Sequence, residues 1–491
     1  MSRVLAIDQG TTGTRAIVYD RRGREVASAY EEFPQIFPRP GWVEHDPEAI
    51  WRSVERTIQK VLGRVPGSSI AAVGITNQRE TTFIWDRRSG RPVWNAIVWQ
   101  CRRTARRCRA LREDRGVVSL VRRRTGLPID PYFSATKAEW ILDRGRLRAR
   151  AKAGRLAFGT ADTWLLWKLT GGRSHGTDFT NASRTMLFDI DRRCWDRGLL
   201  DLFGVPEAVL PEVRPSCGEF GRTIRLGRLP AGIPITGIAG DQQAALFGQA
   251  CFGPGTLKNT YGTGAFIILN TGRRRVDSRH GLITTLACGP AGEPVYALEG
   301  SVFVAGAAVQ WLRDQLGLLR TSAESAAAAE AVEDNAGVYF VPAFVGLGAP
   351  YWNAEARGTI VGLTRGADRR HLIRAALEAM AYATRDVLEV MRRESGLRLR
   401  ELRVDGGAAS NDFLCRFQAG LLGLPVLRPR TVETTARGAA YLAGLGAGVW
   451  SGTAEIRRFW ALDRRFRPAL TRTRADGLYR GWQDAVRKTL A

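Results

Sequence analysis

Two α/β domains are the fold class this sequence predicts, and three observations predict it. The chain has 491 residues, more than one hydrophobic core usually organises. Short apolar runs alternate with turn-rich segments and with helical stripes. A Gly/Thr turn against an apolar run opens the chain at Asp8–Thr14, and a weaker echo stands at Leu257–Gly264, before Ala265–Leu269. The spacing places a boundary near Cys251–Gly255, where Gly253-Pro254-Gly255 interrupts the pattern, giving domains 1–250 and 251–491.

Each element has a local reason. Val4–Ile7 and Ala16–Tyr19 are strands around the first Gly/Thr turn, and Arg21-Arg22-Gly23 turns the chain into a third strand, Glu25–Tyr30. Asp46-Pro47-Glu48 opens a helix, with Asp46 as N-cap and Pro47 in the first helical position. Ile50, Val54, Ile58, Val61 and Leu62 mark its buried face. Strands follow at Ile70–Ile75 and Thr82–Asp86, then a helix near Ser134–Arg144 and a strand at Ile235–Ala239 leading into helical Ala244–Gly248. In the second half, helices are predicted near Ser301–Leu316 and Arg370–Glu394, and strand Leu402–Val404 runs into Asp405-Gly406-Gly407.

Composition narrows the function classes. The formal charge of +25 invites a nucleic-acid reading, yet 67 of the 73 basic residues are arginine and they are spread along the chain. Arginine standing in for lysine throughout reads as coding bias and a solvated surface, so no specific nucleic-acid partner is expected. Seven widely spaced cysteines without a C-x-x-C fit reduced thiols rather than a disulfide frame or zinc site. The four histidines include no ligand pair, and His45 reads as a surface residue before a helix, which argues against a histidine-based triad. The uncharged stretch from Asn335 is broken by Gly337, Pro342, Gly346, Gly348 and Pro350, so no membrane span is expected. Asp8 comes too early for a signal-peptide apolar region, and a cytoplasmic location is expected.

Three clusters carry chemistry. Asp8-Gln9-Gly10-Thr11-Thr12-Gly13-Thr14-Arg15 offers backbone N–H groups, hydroxyls, a guanidinium and a carboxylate. Such a turn wraps phosphate oxygens, and the carboxylate suits Mg²⁺; a plain β-turn explains the same residues equally well. No lysine-containing P-loop and no protein-kinase motif set is present. Asn77-Gln78-Arg79-Glu80 follows a strand, at the carboxyl end where α/β sheets place ligands. Arg79 donates and Glu80 accepts, as a polyol requires, although an isolated Arg-Glu pair is usually surface decoration. In Gly240-Asp241-Gln242-Gln243, Asp241 is placed either to take a hydroxyl proton or to cap a helix. Trp99, Tyr132 and Phe266 are candidate walls for a small carbon chain.

Long segments in register turn these clusters into a resemblance. They include Asp8–Arg15, Gly41–Pro47, Gly74–Thr82, Asn95–Thr104, Asp130–Lys137, Asp162–Thr170, Thr180–Ile190 and Gly237–Gln249. Lys258–Gly264, Ala297–Gly306, Gly346–Gly366 and Arg403–Asn411 continue them through the second half. Over essentially its whole length the chain resembles the FGGY carbohydrate kinases, and among them the members that phosphorylate glycerol. That resemblance implies two ribonuclease-H-like domains of the actin and hexokinase type flanking a nucleotide cleft. It implies ATP-dependent conversion of glycerol to sn-glycerol 3-phosphate with Mg²⁺, and a homo-oligomer (dimer or tetramer) is expected. Arg79, Glu80, Trp99, Tyr132, Asp241, Gln242 and Phe266 would line the acceptor site, with Asp241 as the base. Thr11, Thr12, Gly13 and Arg15 would hold phosphates, and Thr263, Gly306, Gln310, Gly407 and Asn411 the nucleotide. Asp8 would belong to the magnesium region.

The chain also departs from that family pattern. Gly13 stands where a serine is frequent, Ala265 where a cysteine is frequent, and Arg437 where an apolar residue is usual, either exposed or altering the packing. The segment Arg225–Gly232 does not reproduce the glycine-rich, arginine-containing loop that binds fructose 1,6-bisphosphate in regulated relatives. Rival readings are a pentulose kinase of the same family, disfavoured by the bulk of Trp99, and an actin-like ATPase, which has no use for a polyol cluster. A nucleic-acid-binding protein is supported by charge alone.

Overall fold

The computed structural model describes residues 2–491, which divide into two compact units. The first holds the chain through Phe252, with Thr284–Tyr296 and Thr435–Phe459; the second holds Gly253–Ile283, Ala297–Thr434 and Trp460–Ala491.

In the first unit the chain runs through β1 (Arg3–Gln9), β2 (Gly13–Tyr19), β3 (Glu25–Glu32), α1 (Pro47–Leu62) and β4 (Ile70–Asn77). It continues through α2 (Ala135–Arg144), α3 (Phe179–Ala182), β5 (Cys217–Arg222), β6 (Pro234–Gly240) and α4 (Asp241–Gly248). Six strands form one sheet in the order β5-β6-β4-β1-β2-β3. β1, β2 and β3 make an antiparallel meander, β4 lies parallel to β1, and β6 lies parallel to β4. The central strands are apolar almost throughout, as strands covered on both faces must be: Val4, Leu5, Ala6 and Ile7 are wholly buried. α1 starts as its sequence dictates, with Asp46 accepting from the Glu48 amide and Pro47 following, and Ile50, Val54, Ile58 and Val61 are wholly buried.

Glycine sets how closely the helix Thr434–Gly446 lies on this unit. A Cβ on Gly74 of β4 would fall 2.3 Å from the Ala439 carbonyl oxygen, and one on Gly438 would fall 1.8 Å from that of Ala244 in α4. Neither position tolerates a side chain without separating the two backbones.

The second unit repeats the pattern. β7 (Leu257–Tyr261) and β8 (Ala265–Gly272) form a hairpin, followed by α5 (Gly306–Asp314) and the long α6 (Arg369–Ser395). Then come β9 (Leu402–Asp405), α7 (Asp412–Leu422), β10 (Val426–Pro429) and β11 (Leu462–Phe466). Their order is β8-β7-β9-β10-β11, with β7, β9 and β10 mutually parallel and β11 antiparallel at the edge. Both sheets thus contain a hairpin extended by two parallel strands and closed by an antiparallel one, and both carry further strands beyond the hairpin. α6 begins with a capping box between Asp368 and His371 and ends at Gly396 in the left-handed conformation (φ 65°). Among the described residues no helix is long and apolar enough to cross a membrane.

Candidate active site

The site in the first unit is built where parallel strands end. β1 finishes at Asp8-Gln9 and β4 at Asn77, adjacent in register, while β6 ends at Gly240 beside Asn77. The Gly/Thr turn, the Asn77–Glu80 cluster and Asp241 therefore emerge side by side at carboxyl ends, the position α/β sheets give to ligands.

Arg79 is the hub. It is only 3% exposed, and its guanidinium reaches Asp241 Oδ1 at 3.2 Å, Gln243 Oε1 at 3.2 Å and the Tyr132 hydroxyl at 3.4 Å. Tyr132 meets the Trp99 ring edge-on with centroids 5.6 Å apart, and the Trp99 indole N–H donates to Thr11 Oγ1 at 2.9 Å. A continuous run of contacts thus joins the Gly/Thr turn to Asp241.

Asp241 is the first residue of α4; the N-cap position is Gly240. Its Oδ1 accepts from the Gln242 amide at 2.7 Å and its side chain is 28% exposed, so the carboxylate is reachable from solvent while the guanidinium behind it is not. Glu80 is the reverse case. It is 1% exposed, it holds a backbone φ of 62°, and its Oε1 takes the Nε–H of the fully buried Arg184 at 2.6 Å. Non-glycine residues in the left-handed region cluster at functional sites, where the surrounding structure holds them. Here Ser134 does part of that work, donating to the Glu80 carbonyl at 3.0 Å.

Two polar networks brace the cluster from behind. Asn77 and Asn181 exchange side-chain hydrogen bonds at 2.9 and 3.1 Å, and Asn181 also donates to Asp178 at 2.9 Å. Asp178 caps α3 and accepts from Ser216 and Thr180 hydroxyls; burial nonetheless pushes its pKa above the usual carboxylate range. Thr180 Oγ1 accepts from the Gly240 amide at 2.8 Å, fixing the start of α4.

The second network contains His45, and here the sequence reading is corrected. His45 is wholly buried, not on the surface, because it forms a short strand with Ala96 and its ring packs edge-on against Phe33. Its Nε2 donates to Gln35 Oε1 at 2.7 Å, and its Nδ1 lies 3.4 Å from the Gln78 amide nitrogen. Gln35 in turn donates to the Thr11 carbonyl, and Gln78 donates to Gln9 Oε1 at 3.1 Å. Burial pushes His45 down to about 4, so the ring is neutral near pH 7 and both nitrogens keep fixed roles.

Of the predicted residues, Arg79, Trp99, Tyr132, Asp241 and Thr11 are brought into one chain of contacts. Glu80 and the buried Gln242 adjoin them in sequence. Thr12, Gly13, Arg15 and Asp8 belong to the β1–β2 turn, with Asp8 opposite Arg15 in register. Arg184, Gln243 and His45 were not predicted as site residues; only their place beside Arg79, Glu80 and Gln78 in the fold marks them.

The nucleotide candidates of the second unit also gather at strand ends. The β7–β8 turn is closed by Gly262 donating to Gly264, and the start of α5 docks on it: the Ala305 and Ala307 amides both donate to the Thr263 carbonyl. Gly306 begins α5, and Gln310, one turn on, is exposed. Gly407 follows β9, next to Gly406, whose φ of 80° and 2.3 Å Cβ approach to the Tyr261 carbonyl oxygen require glycine. Asn411 is half-buried and caps α7 through Leu414, with its amide on Ser325 at 3.1 Å. Phe266 lies half-buried on β8, and Ala265 beside it is buried. Arg437 is buried too, which excludes the exposed reading.

This architecture has known counterparts. The model of the N-terminal domain of the FGGY family of carbohydrate kinases matches residues 3–248, and that of its C-terminal domain matches residues 257–447. The chain belongs to the FGGY family of carbohydrate kinases. Glycerol kinase 2 of Thermotoga maritima is 55% identical over 493 residues, covering 100% of this chain and 99% of that one. Glycerol kinase of Symbiobacterium thermophilum is 57% identical over 488 residues, covering 99% and 98%. Among solved structures, Plasmodium falciparum glycerol kinase with ADP superposes with a TM-score of 0.92 at 35% identity, covering 100% of this chain and 99% of that one. A xylulose kinase of Lactobacillus acidophilus, at 22% identity and a TM-score of 0.87 over 99% and 97% of the two chains, shares the fold.

Proposed function

We propose that this chain is an ATP-dependent kinase that converts glycerol to sn-glycerol 3-phosphate, with Asp241 as the general base. The observation that carries the reading is the Arg79–Asp241 contact at 3.2 Å beside the buried Glu80, with Asp241 alone of the three side chains partly open to solvent. Arg79 and Glu80 offer donors and an acceptor to the glycerol hydroxyls, and Trp99 and Tyr132 enclose the three carbons. High identity to glycerol kinases over the full chain supports the acceptor, and a relative solved with ADP supports the donor.

In the step itself, the terminal hydroxyl oxygen of glycerol attacks the γ-phosphorus of ATP in line. The new O–P bond forms as the β–γ bridging bond breaks, ADP leaves, and the hydroxyl proton passes to Asp241. Arg79 orients the carboxylate that receives it. Thr11, Thr12, Gly13 and Arg15 cradle the transferring phosphate, and Thr263, Gly306, Gln310, Gly407 and Asn411 hold the rest of the nucleotide. Among the described residues no group of three His, Cys, Asp or Glu side chains is arranged to hold a metal ion. Mg²⁺ in kinases is bound through one or two carboxylates plus phosphates and water rather than by an all-protein cage, and Asp8 at the end of β1 is such a carboxylate. When bound there, Mg²⁺ offsets phosphate charge. Seven widely spaced cysteines without a C-x-x-C suit a reducing cytoplasm.

The substitution Asp241→Asn tests the base. It keeps shape and a carbonyl acceptor but removes the charge, so kcat should fall by roughly 10²–10⁴-fold while the chain still folds and binds glycerol and ATP. Near-normal turnover would reduce Asp241 to a helix-start residue.

A further inference from the structure

Tyr30 has no assigned role, and its surroundings point to one. It lies on β3 directly opposite Arg15 of β2. The neighbouring pair, Thr14 and Glu31, faces α1: Thr14 bonds Ser53 at 2.7 Å, and Glu31 pairs with Arg56 and Lys60. Side chains alternate along strands, so Arg15 and Tyr30 lie on the other face of the sheet. There the Arg15 guanidinium sits 5.4 Å from the Tyr30 ring centroid, and the Tyr30 hydroxyl is 3.5 Å from Thr12 Oγ1.

Gly13 explains why the phenol reaches this place. A Cβ on Gly13 would stand 2.6 Å from the Tyr30 hydroxyl and 2.7 Å from the Glu31 carbonyl oxygen. The turn therefore carries no side chain at position 13, and a hydroxyl from the neighbouring strand fills the space over it. Tyr30 is 45% exposed, so the residue that reaches over the turn lies at the surface and not in the core.

We propose that Tyr30 is a phosphate-binding residue, its phenol donating to an oxygen of the terminal phosphate of ATP alongside Thr12 and Arg15. This role rests on the reading of the Asp8–Arg15 turn as the phosphate cradle, and the experiment separates the two. Steady-state kinetics of Tyr30→Phe, which keeps the ring over Gly13 and removes only the hydroxyl, are compared with those of Thr12→Val and Arg15→Gln. Loss of one neutral hydrogen bond should raise the KM for Mg-ATP in Tyr30→Phe by about 3- to 10-fold, with the glycerol KM and melting temperature unchanged. An unchanged Mg-ATP KM in Tyr30→Phe, with raised values in the other two, would overturn the role of Tyr30 and leave the cradle standing. Equal rises in both KM values together with a lower melting temperature would make Tyr30 a packing residue and overturn it as well. If none of the three variants moves the Mg-ATP KM, the cradle reading falls and Tyr30's role with it.

Discussion

Glu80 and Arg184 bury opposite charges at 1% and 0% side-chain exposure, 2.6 Å apart. Such a pair is costly to desolvate, and breaking it from one side is costlier, about 3–5 kcal/mol, because the remaining charge is left buried. Arg184→Met should therefore lower the melting temperature and raise the glycerol KM at least tenfold, with little effect on the Mg-ATP KM. Adding Glu80→Gln should restore most of the stability but not glycerol use. Thermal unfolding and kinetics of the two variants check this; a double variant no more stable than Arg184→Met would show the charge pair is not the stabilising feature. Arg79, Glu80 and Asp241 were legible in the sequence because each follows a strand and carries a charge with an obvious use. Arg184 was not, since nothing in Ala182-Ser183-Arg184-Thr185 distinguishes a fully buried guanidinium from one of many surface arginines. His45 misled for the same reason: flanked by Glu44 and Asp46 it looks solvated, yet Glu44 itself is 5% exposed and pairs with the buried Arg103.

At the scale of elements, local signals located α1, the hairpins and the strand cores, and stopped short at the ends. β4 extends to Asn77 and α4 begins at Asp241, beyond the apolar runs that announced them. The polar residues there keep helical or ladder geometry because side chains such as Asn181 and Thr180 hold them, a long-range effect that periodicity does not carry. Close approach between helices is equally silent. The Gly438 contact sets the height of α4, and α4 carries Asp241. Gly438→Ala should push that helix away, lowering kcat by about tenfold or more and destabilising the fold by roughly 1–3 kcal/mol, the usual range for overpacking. Denaturant unfolding and turnover numbers report it; unchanged values for both would mean that the helix Thr434–Gly446 adjusts freely and does not position Asp241.

For the whole molecule, the formal charge of +25 is a property of the surface more than of the site. Many arginines are spent on ion pairs, as Arg107 with Glu139 and Arg124 with Asp189 show, or stack on aromatic rings, as Arg103 does 4.0 Å from the Trp42 centroid. What the two units share is a hairpin with a Gly/Thr turn at the carboxyl end of a parallel sheet, and the first unit adds a buried Arg-Glu pair set against one accessible carboxylate. On the proposed reading, that combination is what selects a small polyol as the acceptor. The most direct measurement is a coupled assay of the purified full chain with Mg-ATP and a panel of acceptors: glycerol, dihydroxyacetone, xylulose and ribulose. Glycerol should give the highest kcat/KM, dihydroxyacetone a lower one and the pentuloses very little. A kcat/KM for xylulose or ribulose above that for glycerol would contradict the account.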